Sequence, residues 1–138
     1  MERKAQCQCG SLSLTAEGEP DIVMCSCKAC QRRTGSAFGL GAYYPKDKVR
    51  ISGAAKRFSR IAESGEAFVG YFCSDCGTTL YFESARHPSG WGISVGCFAD
   101  PTMPAPVRSV WEQSRHRWLA VPAGIPRFLR GRDSERVS

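Results

Sequence analysis

The spacing of the cysteines is the feature that most constrains how this 138-residue chain can fold. The chain has eight cysteines, and seven of them fall into three short groups separated by long stretches of sequence. The groups are Cys7 and Cys9, then Cys25, Cys27 and Cys30, and finally Cys73 and Cys76. Closely spaced cysteines of this kind are typical zinc ligands, so we expect the fold to bring them together around metal ions.

The middle group has the spacing of a three-ligand metal site. Residues two apart in an extended segment share a face, so Cys25 and Cys27 project together, and a tight turn can return Cys30 to them. Zinc suits soft thiolate ligands, and three protein ligands leave a position for water or substrate. The same spacing also fits an ordinary structural site in which Cys27 and Cys30 are half of the ligands.

Two divisions of the seven cysteines are therefore open. In the first, the outer two groups close a four-cysteine structural site, and the middle group forms an open three-cysteine site. In the second, Cys27 and Cys30 join Cys73 and Cys76 across an insert of residues 31–72, much longer than the ~15–20 residues typical between such pairs. Because the second division also leaves three grouped cysteines unused, we favour the first.

Alternating polarity and turn signals predict a mainly β chain. Leu12, Leu14 and Ala16 alternate with small polar residues, so residues 7–16 are predicted to form a half-buried strand. Eight or nine short strands of this kind, with one helical turn from Lys28 to Arg33 that Gly35 ends, indicate an all-β domain. We predict one domain over residues 1–130 and a polar, disordered tail over residues 131–138.

Three side chains outside the groups are predicted to pack rather than to react. Trp111 and Trp118 are interpreted as core residues, and Cys97 as a small buried residue of an apolar strand.

The charge of the chain favours small anions over nucleic acid as partners. Lysine and arginine number 19 against 13 acidic residues, a net charge of +6, but the basic residues are scattered and no recognition motif collects them. No apolar run approaches the ~20 residues of a membrane span, and the N-terminus has no secretory signal. We therefore predict a cytoplasmic location, where reducing conditions keep cysteines available as metal ligands.

The order of the motifs resembles the glutathione-dependent formaldehyde-activating enzyme (GFA) family. The likeness runs from about residue 5 to residue 120, and the three cysteine groups make it specific for the family. The matching segments are QCQCG at 6–10, CxCxxCQR at 25–32, TGSAF at 34–38, FCxxCGTxLY at 72–81, VGxFADP at 95–101 and SVWExxRHxWL at 109–119.

The resemblance implies a fold, two metal sites and an activity. The fold would be a β-tent of several small coiled antiparallel sheets, pinned by zinc on Cys7, Cys9, Cys73 and Cys76. The middle group would hold zinc in the active site, in agreement with the division favoured above. The implied activity is that of a carbon–sulfur lyase similar to S-(hydroxymethyl)glutathione synthase, which reversibly joins glutathione to formaldehyde. Ser26 departs from the pattern, because many members carry histidine there, and this bears on the substrate.

Zinc on three thiolates suits thiol exchange better than water activation, so an incoming glutathione thiol is predicted to react as thiolate with a small aldehyde. Basic side chains and backbone amides beside the middle group are the predicted glutathione contacts. These are Lys28, Arg32, Arg33, Gly35 and Ser36. His87 and His116 are candidates for proton transfer by residue type alone.

The rival hypothesis is a non-catalytic zinc-binding interaction module on the same fold. Proteins that resemble the family, such as centromere protein V, are associated with chromatin. An open three-cysteine site has no structural necessity, and its presence favours an enzyme with a thiol and an aldehyde as small-molecule partners. The sequence leaves the oligomeric state open.

Overall fold

A computed structural model describes residues 1–137, which form ten strands, one α-helix and three short 3₁₀-helices. The strands are β1 (Glu2–Gln6), β2 (Ser13–Glu17), β3 (Asp21–Cys25), β4 (Gly39–Pro45), β5 (Val49–Ser52), β6 (Ala55–Ile61), β7 (Ala67–Cys73), β8 (Thr79–Ser84), β9 (Gly90–Ser94) and β10 (Arg108–Val110). The helix α1 is Lys28–Thr34, and the 3₁₀-helices are Lys46–Lys48, Val95–Phe98 and Glu112–Ser114. Among residues 1–137, none of the helical segments is long and apolar enough for a membrane span.

The strands form two sheets. A seven-stranded sheet has the order β10-β3-β4-β9-β8-β7-β6, and a three-stranded sheet has the order β1-β2-β5. Neighbouring strands are antiparallel except for β10, which lies parallel to β3 with Val110 opposite Cys25. The predicted mainly β fold, the β-tent that the resemblance implied, is confirmed.

One hydrophobic core contains residues of both sheets. Leu14 of the small sheet and Tyr44, Leu80 and Ile93 of the large sheet are almost completely buried in it. Cys7 and Cys73 belong to the same core, each with 1% of its surface exposed. The four-cysteine group therefore lies where the two sheets meet.

The N-terminal strand prediction is wrong in its first half. Residues 7–12 form the turn between β1 and β2, closed by a 2.9 Å hydrogen bond from Cys7 N to Leu12 O. Gly10 has φ +84° in this turn, a conformation that glycine adopts without steric cost. The alternation of the sequence is real from Leu12 onward, but the cysteines need a tight turn rather than an extended strand.

Two further packing predictions are also corrected. Trp118 is 73% exposed rather than part of the core, while Trp111 is half-buried. Cys97 lies on the second 3₁₀-helix, Val95–Phe98, and is half-buried rather than buried in a strand. Residue type suggested burial of Cys97 and Trp118, but each lies after the end of a strand, β9 or β10, and outside the sheets.

The boundary of the domain stays a prediction. Within the described part of the predicted tail, Glu135 O accepts a 2.9 Å hydrogen bond from Leu129 N. Ser138 lies outside the described residues. The division into a domain of residues 1–130 and a tail of residues 131–138 stays a proposal, and Arg86 Nη2 donates a 2.9 Å hydrogen bond to Asp133 Oδ2 across it.

Replacing Gly92 by alanine is expected to destabilise the fold by about 1–3 kcal/mol. Gly92 of β9 lies opposite Phe82 of β8, and an added Cβ would lie closer than 3.0 Å to three atoms of the Phe82 ring. Urea unfolding of Gly92→Ala and of Gly96→Ala would test this, because a Cβ at Gly96 meets nothing within 4 Å. Equal stability of the two variants would contradict the expected overpacking.

Candidate metal centres and the adjoining cavity

The first and third cysteine groups meet at one point. The Sγ atoms of Cys7, Cys9, Cys73 and Cys76 all lie within 4.8 Å of one another. The first pair comes from the turn between β1 and β2, and the second pair from the end of β7 and the turn after it. Segments more than 60 residues apart are therefore brought to one site.

The donor atoms of this group fit zinc. Cys9 Sγ lies 3.7 Å from both Cys7 Sγ and Cys73 Sγ. A tetrahedron with Zn–S bonds of about 2.3 Å has S–S edges of about 3.8 Å, which agrees with both distances. Leu12 N and Asp75 N donate hydrogen bonds to Cys7 Sγ and Cys73 Sγ, at 3.3 and 3.4 Å. Such bonds stabilise the thiolates that a metal requires.

Cys76 has a further stabilising contact. Its Sγ lies 3.3 Å from Thr78 Oγ1, and hydrogen bonding from the Thr78 hydroxyl is the largest cause that lowers the pKa of Cys76 to about 5. The cysteines of residues 1–137 are free thiols rather than disulfides. The group is therefore chemically suited to bind a metal ion.

The middle group is a three-cysteine cluster at the junction of β3 and α1. The Sγ atoms of Cys25, Cys27 and Cys30 lie within 4.8 Å of one another, and no fourth His, Cys, Asp or Glu ligand atom of residues 1–137 joins them. Cys27 is the N-cap of α1, and its Sγ accepts a 3.3 Å hydrogen bond from Cys30 N. Gly35, in the left-handed conformation at φ +68°, ends the helix as predicted. The local fold thus gathers three sulfurs and leaves one coordination position open.

The thiols of the three-cysteine cluster differ in pKa. Hydrogen bonds from Cys25 and then Cys27, together with the positive charge of Arg33, lower the pKa of Cys30. Hydrogen bonding with Cys27 and then with Cys30 raises the pKa of Cys25 well above its usual range, with burial as a further cause. Without a metal the cluster therefore holds a thiolate at Cys30 and a protonated Cys25. A divalent cation would compensate the charge of further thiolates.

A cavity of about 140 Å³ adjoins the three-cysteine cluster. Cys25, Cys27 and Cys30 line it, and Cys27 and Cys30 are each only 8% exposed. The other side chains of the lining are mainly apolar or basic. The apolar ones include Val23, Tyr43, Phe68, Phe82, Val110 and Trp111, and the basic ones Arg60, Arg86, His87, Arg108 and Arg132.

A family model for glutathione-dependent formaldehyde-activating enzymes matches residues 2–114, most of the chain. The chain belongs to the GFA family. The sequence resemblance is thereby confirmed, and both cysteine groups lie within the matched residues.

Two similar proteins place this GFA chain among known proteins. A Penicillium rubens protein, provisionally named a glutathione-dependent formaldehyde-activating enzyme, is 26% identical over 81 residues. That match covers 56% of this chain but only 42% of the Penicillium protein. A Rhodobacter sphaeroides protein of known crystal structure superposes with a TM-score of 0.55 and 23% identity, covering 68% of this chain and 85% of the other. At that identity the likeness concerns the fold alone.

The predicted glutathione contacts of this GFA chain lie outside the cavity lining. Lys28, Arg32, Gly35 and Ser36 are exposed on α1 and the turn after it. The backbone amides of Gly35 and Ser36 already donate within the protein, to Gln31 O at 2.8 Å and to Thr34 Oγ1 at 3.1 Å. These amides are therefore not free donors here, and contact of the two basic side chains with glutathione stays a prediction.

Of the predicted glutathione contacts, Arg33 is the one whose charge acts on the three-cysteine cluster. It is half-buried, its guanidinium lies 4.8 Å from the centroid of the Phe82 ring, and its charge helps to lower the pKa of Cys30. Ser26, in the position where many members carry histidine, is completely buried. Its Oγ has no hydrogen-bond partner within residues 1–137.

The two histidines occupy different environments. His87 lines the cavity and stacks on Tyr43 with ring centroids 3.9 Å apart. Burial, with nearby arginines as further causes, lowers the pKa of His87 to about 4, so its ring is neutral at pH 7. His116 is exposed and does not line the cavity, and its Nε2 lies 2.8 Å from Gln31 Oε1.

The C-terminal part of the chain supplies site residues that the sequence analysis missed. Arg108 and Val110 reach the cavity because β10 pairs with β3, which ends at Cys25. Trp111 follows with φ +60°, a left-handed conformation that costs energy for a bulky residue. The buried carboxylate of Glu112, bonded by Arg127 at 2.7 and 2.9 Å, fixes the backbone beside it. Nothing in the sequence indicates the left-handed conformation of Trp111, although the SVWE segment belongs to the family resemblance.

Proposed function

We propose that this chain is a zinc-dependent carbon–sulfur lyase of the GFA type. It would reversibly join glutathione, or a related thiol, to formaldehyde or another small aldehyde and give an S-hydroxymethyl or equivalent adduct. The observation that carries the proposal is the three-cysteine cluster, with its fourth position open, next to a cavity. A site that served stability alone would be expected to use four protein ligands.

Zinc is the proposed metal of both groups. Cys7, Cys9, Cys73 and Cys76 would hold a structural ion, and Cys25, Cys27 and Cys30 a catalytic one. When bound to the three-cysteine cluster, zinc would supply the positive charge that stabilises an incoming thiol as its thiolate. Arg33 supports the same charge balance from the protein side, because its guanidinium favours the thiolate of Cys30.

The reaction forms one carbon–sulfur bond. The thiol sulfur attacks the carbonyl carbon, the carbonyl π electrons move to oxygen, and the proton lost by the thiol ends on that oxygen. The cavity residues would hold the aldehyde beside the cysteines, which makes the encounter of the two reactants local. Tyr43 keeps its proton because burial, with the nearby Cys25 and Cys30 as further causes, raises its pKa, so its hydroxyl can donate a hydrogen bond in this wall.

Glutathione is proposed to approach over α1 rather than through the cavity. Lys28 and Arg32 are exposed on that helix, next to the cysteines in sequence, and their charges complement the carboxylates of the tripeptide. Its thiol would then reach the cluster from the helix side. A cytoplasmic location, where the thiol pool is reduced, is part of this proposal.

A non-catalytic interaction module remains the second candidate because of one surface feature. Phe58 and Ile61 are 63% and 70% exposed on β6, which is an edge strand of the large sheet. Exposed apolar residues on an edge strand are typical of protein contacts. This candidate needs no turnover, and an activity measurement therefore separates it from the enzyme.

The test is magnetisation transfer by NMR in a mixture of the zinc-loaded chain, glutathione and ¹³C-formaldehyde. We expect the protein to accelerate exchange between free formaldehyde hydrate and the adduct. Cys97→Ser is the matched control, because Cys97 belongs to neither cysteine group and its loss should leave the exchange unchanged. If exchange with glutathione and with a panel of small thiols and aldehydes stays at the uncatalysed rate, the enzyme proposal is wrong.

A further inference from the structure

The cavity is larger and more aromatic than formaldehyde requires. Its volume of about 140 Å³ is close to the ~150 Å³ of an engineered apolar cavity that binds benzene. The rings of Phe68 and Phe82 stack at 5.2 Å, and Tyr43 meets Phe82 edge-on at 6.0 Å. A flat apolar ring fits such walls, whereas formaldehyde would leave most of the space unfilled.

The same cavity carries positive charge that the protein does not neutralise. Arg108 and Arg132 line it, and neither takes part in an ion pair among residues 1–137. Arg86 differs, since it pairs with Glu66 and Asp133 at 3.7 and 2.9 Å. Unpaired arginines beside an apolar cavity are well suited to bind a carboxylate.

His87, which also lines the cavity, lies close enough to these arginines for their charge to lower its pKa. After burial, the three causes that lower it are the positive charges of Arg132, Arg108 and Arg86. These arginines therefore converge on one region of the cavity lining. Glu63, the carboxylate that also lines the cavity, is exposed to solvent.

Burial sets the orientation of a bound molecule. Cys27 and Cys30 are buried, whereas Arg132 is exposed. A carboxylate would remain near solvent and the arginines, and the group at the other side of the ring would point toward the sulfurs. A carbonyl group in that position would be next to the proposed reaction centre.

We propose that the cavity binds an aromatic ring bearing a carboxylate, and that the carbonyl substrate of this chain is an acidic aromatic aldehyde. The substrate assignment rests on the proposed thiol–aldehyde reaction, while the binding site does not. In the reaction the thiol sulfur bonds to the aldehyde carbon, the π electrons move to oxygen, and the thiol proton completes the hydroxyl group. The product is a one-to-one hemithioacetal, and no oxidant or reductant is needed.

Binding is tested with 4-carboxybenzyl alcohol, which has the ring and the charge but cannot react with a thiol. Calorimetric titration of the zinc-loaded chain is expected to give tighter binding than for benzyl alcohol. The double variant Arg108→Gln/Arg132→Gln should weaken binding of the acid about tenfold or more and leave binding of the neutral alcohol unchanged. Arg50→Gln, an exposed arginine of the small sheet, is the control and should change neither. Equal affinities for acid and neutral alcohol, or an unchanged double variant, would overturn the proposal.

The reactive aldehyde separates this inference from the proposed function. Glutathione exchange is compared for 4-carboxybenzaldehyde, benzaldehyde and formaldehyde, and we expect catalysis of the acidic aldehyde to exceed that of the neutral aromatic one. Catalysed exchange of formaldehyde without a preference for the acid would overturn the substrate assignment and leave the proposed function intact. Binding of the acidic alcohol without exchange of any aldehyde would instead overturn the proposed function, together with the substrate assignment.

Discussion

Removing zinc from the four-cysteine group is expected to unfold the chain. The group joins the turn between β1 and β2 to the end of β7, and it lies in the core that both sheets share. Apparent zinc-binding free energies of ~10–16 kcal/mol are as large as the ~5–15 kcal/mol of unfolding free energy of a typical domain. Loss of the ion would leave Cys7 and Cys73 as buried thiols. The hydrogen bonds that Leu12 N and Asp75 N donate to these sulfurs would then no longer stabilise metal-bound thiolates.

The measurement combines metal content with circular dichroism. A chelator strong enough to bring the zinc content to zero should abolish the native β spectrum, and returning zinc should restore it. Chelation of only the three-cysteine cluster should not do so, because that group joins neighbouring residues of β3 and α1 rather than two sheets. A zinc-free chain with the native spectrum and a cooperative thermal transition would refute the structural role of the metal.

The double variant Cys27→Ser/Cys30→Ser is expected to fold normally and to lose thiol–aldehyde exchange completely. Serine is among the preferred N-cap residues, so the replacement at Cys27 keeps a side-chain acceptor for Cys30 N and helix α1 should still form. The cluster loses two of its three sulfurs, and the affinity for a soft metal ion falls accordingly. Bound zinc should drop from two ions per chain to one.

Mass spectrometry under native conditions and the NMR exchange assay check the two parts of this prediction. Cys97→Ser again serves as the matched control, with two bound ions and full exchange expected. Exchange that survives in the double variant would exclude the cluster as the reaction centre. If the double variant is unfolded, the same two measurements are made on Cys25→Ser instead. That replacement leaves α1 untouched because Cys25 is the last residue of β3.

The sequence was informative wherever a local rule governs the structure. Cysteine spacing predicted the two pairs and the trio, because a short turn brings the sulfurs of each together, whereas the meeting of the two pairs was inferred from counting ligands and from the resemblance. The position of Gly35 predicted the end of α1, since a left-handed C-cap strongly favours glycine. The mainly β fold followed from short alternating segments with turns between them.

These local rules do not predict which strands distant in sequence pair with one another. The parallel contact of β10 with β3 joins segments that no turn connects, so nothing near Arg108 in sequence indicates that it lies beside the cysteines. For the same reason the sequence predicts substrate contacts only for basic residues next to the middle group, and not for the arginines of the cavity lining. Trp118 was misjudged because residue type predicts average burial, and a loop outside the sheets does not follow the average.

The pairing of β10 with β3 also separates what the chain can change from what it must keep. All seven grouped cysteines lie before residue 77, whereas Arg108, Trp111 and Arg132 come from the later part, and Arg132 lies beyond the residues that the family model matches. Under the proposed function, mutations in the later part would alter which aldehyde is accepted without changing any of the proposed metal ligands. The C-terminal segment is therefore the part of the chain in which substrate preference would change while the proposed metal ligands stay fixed.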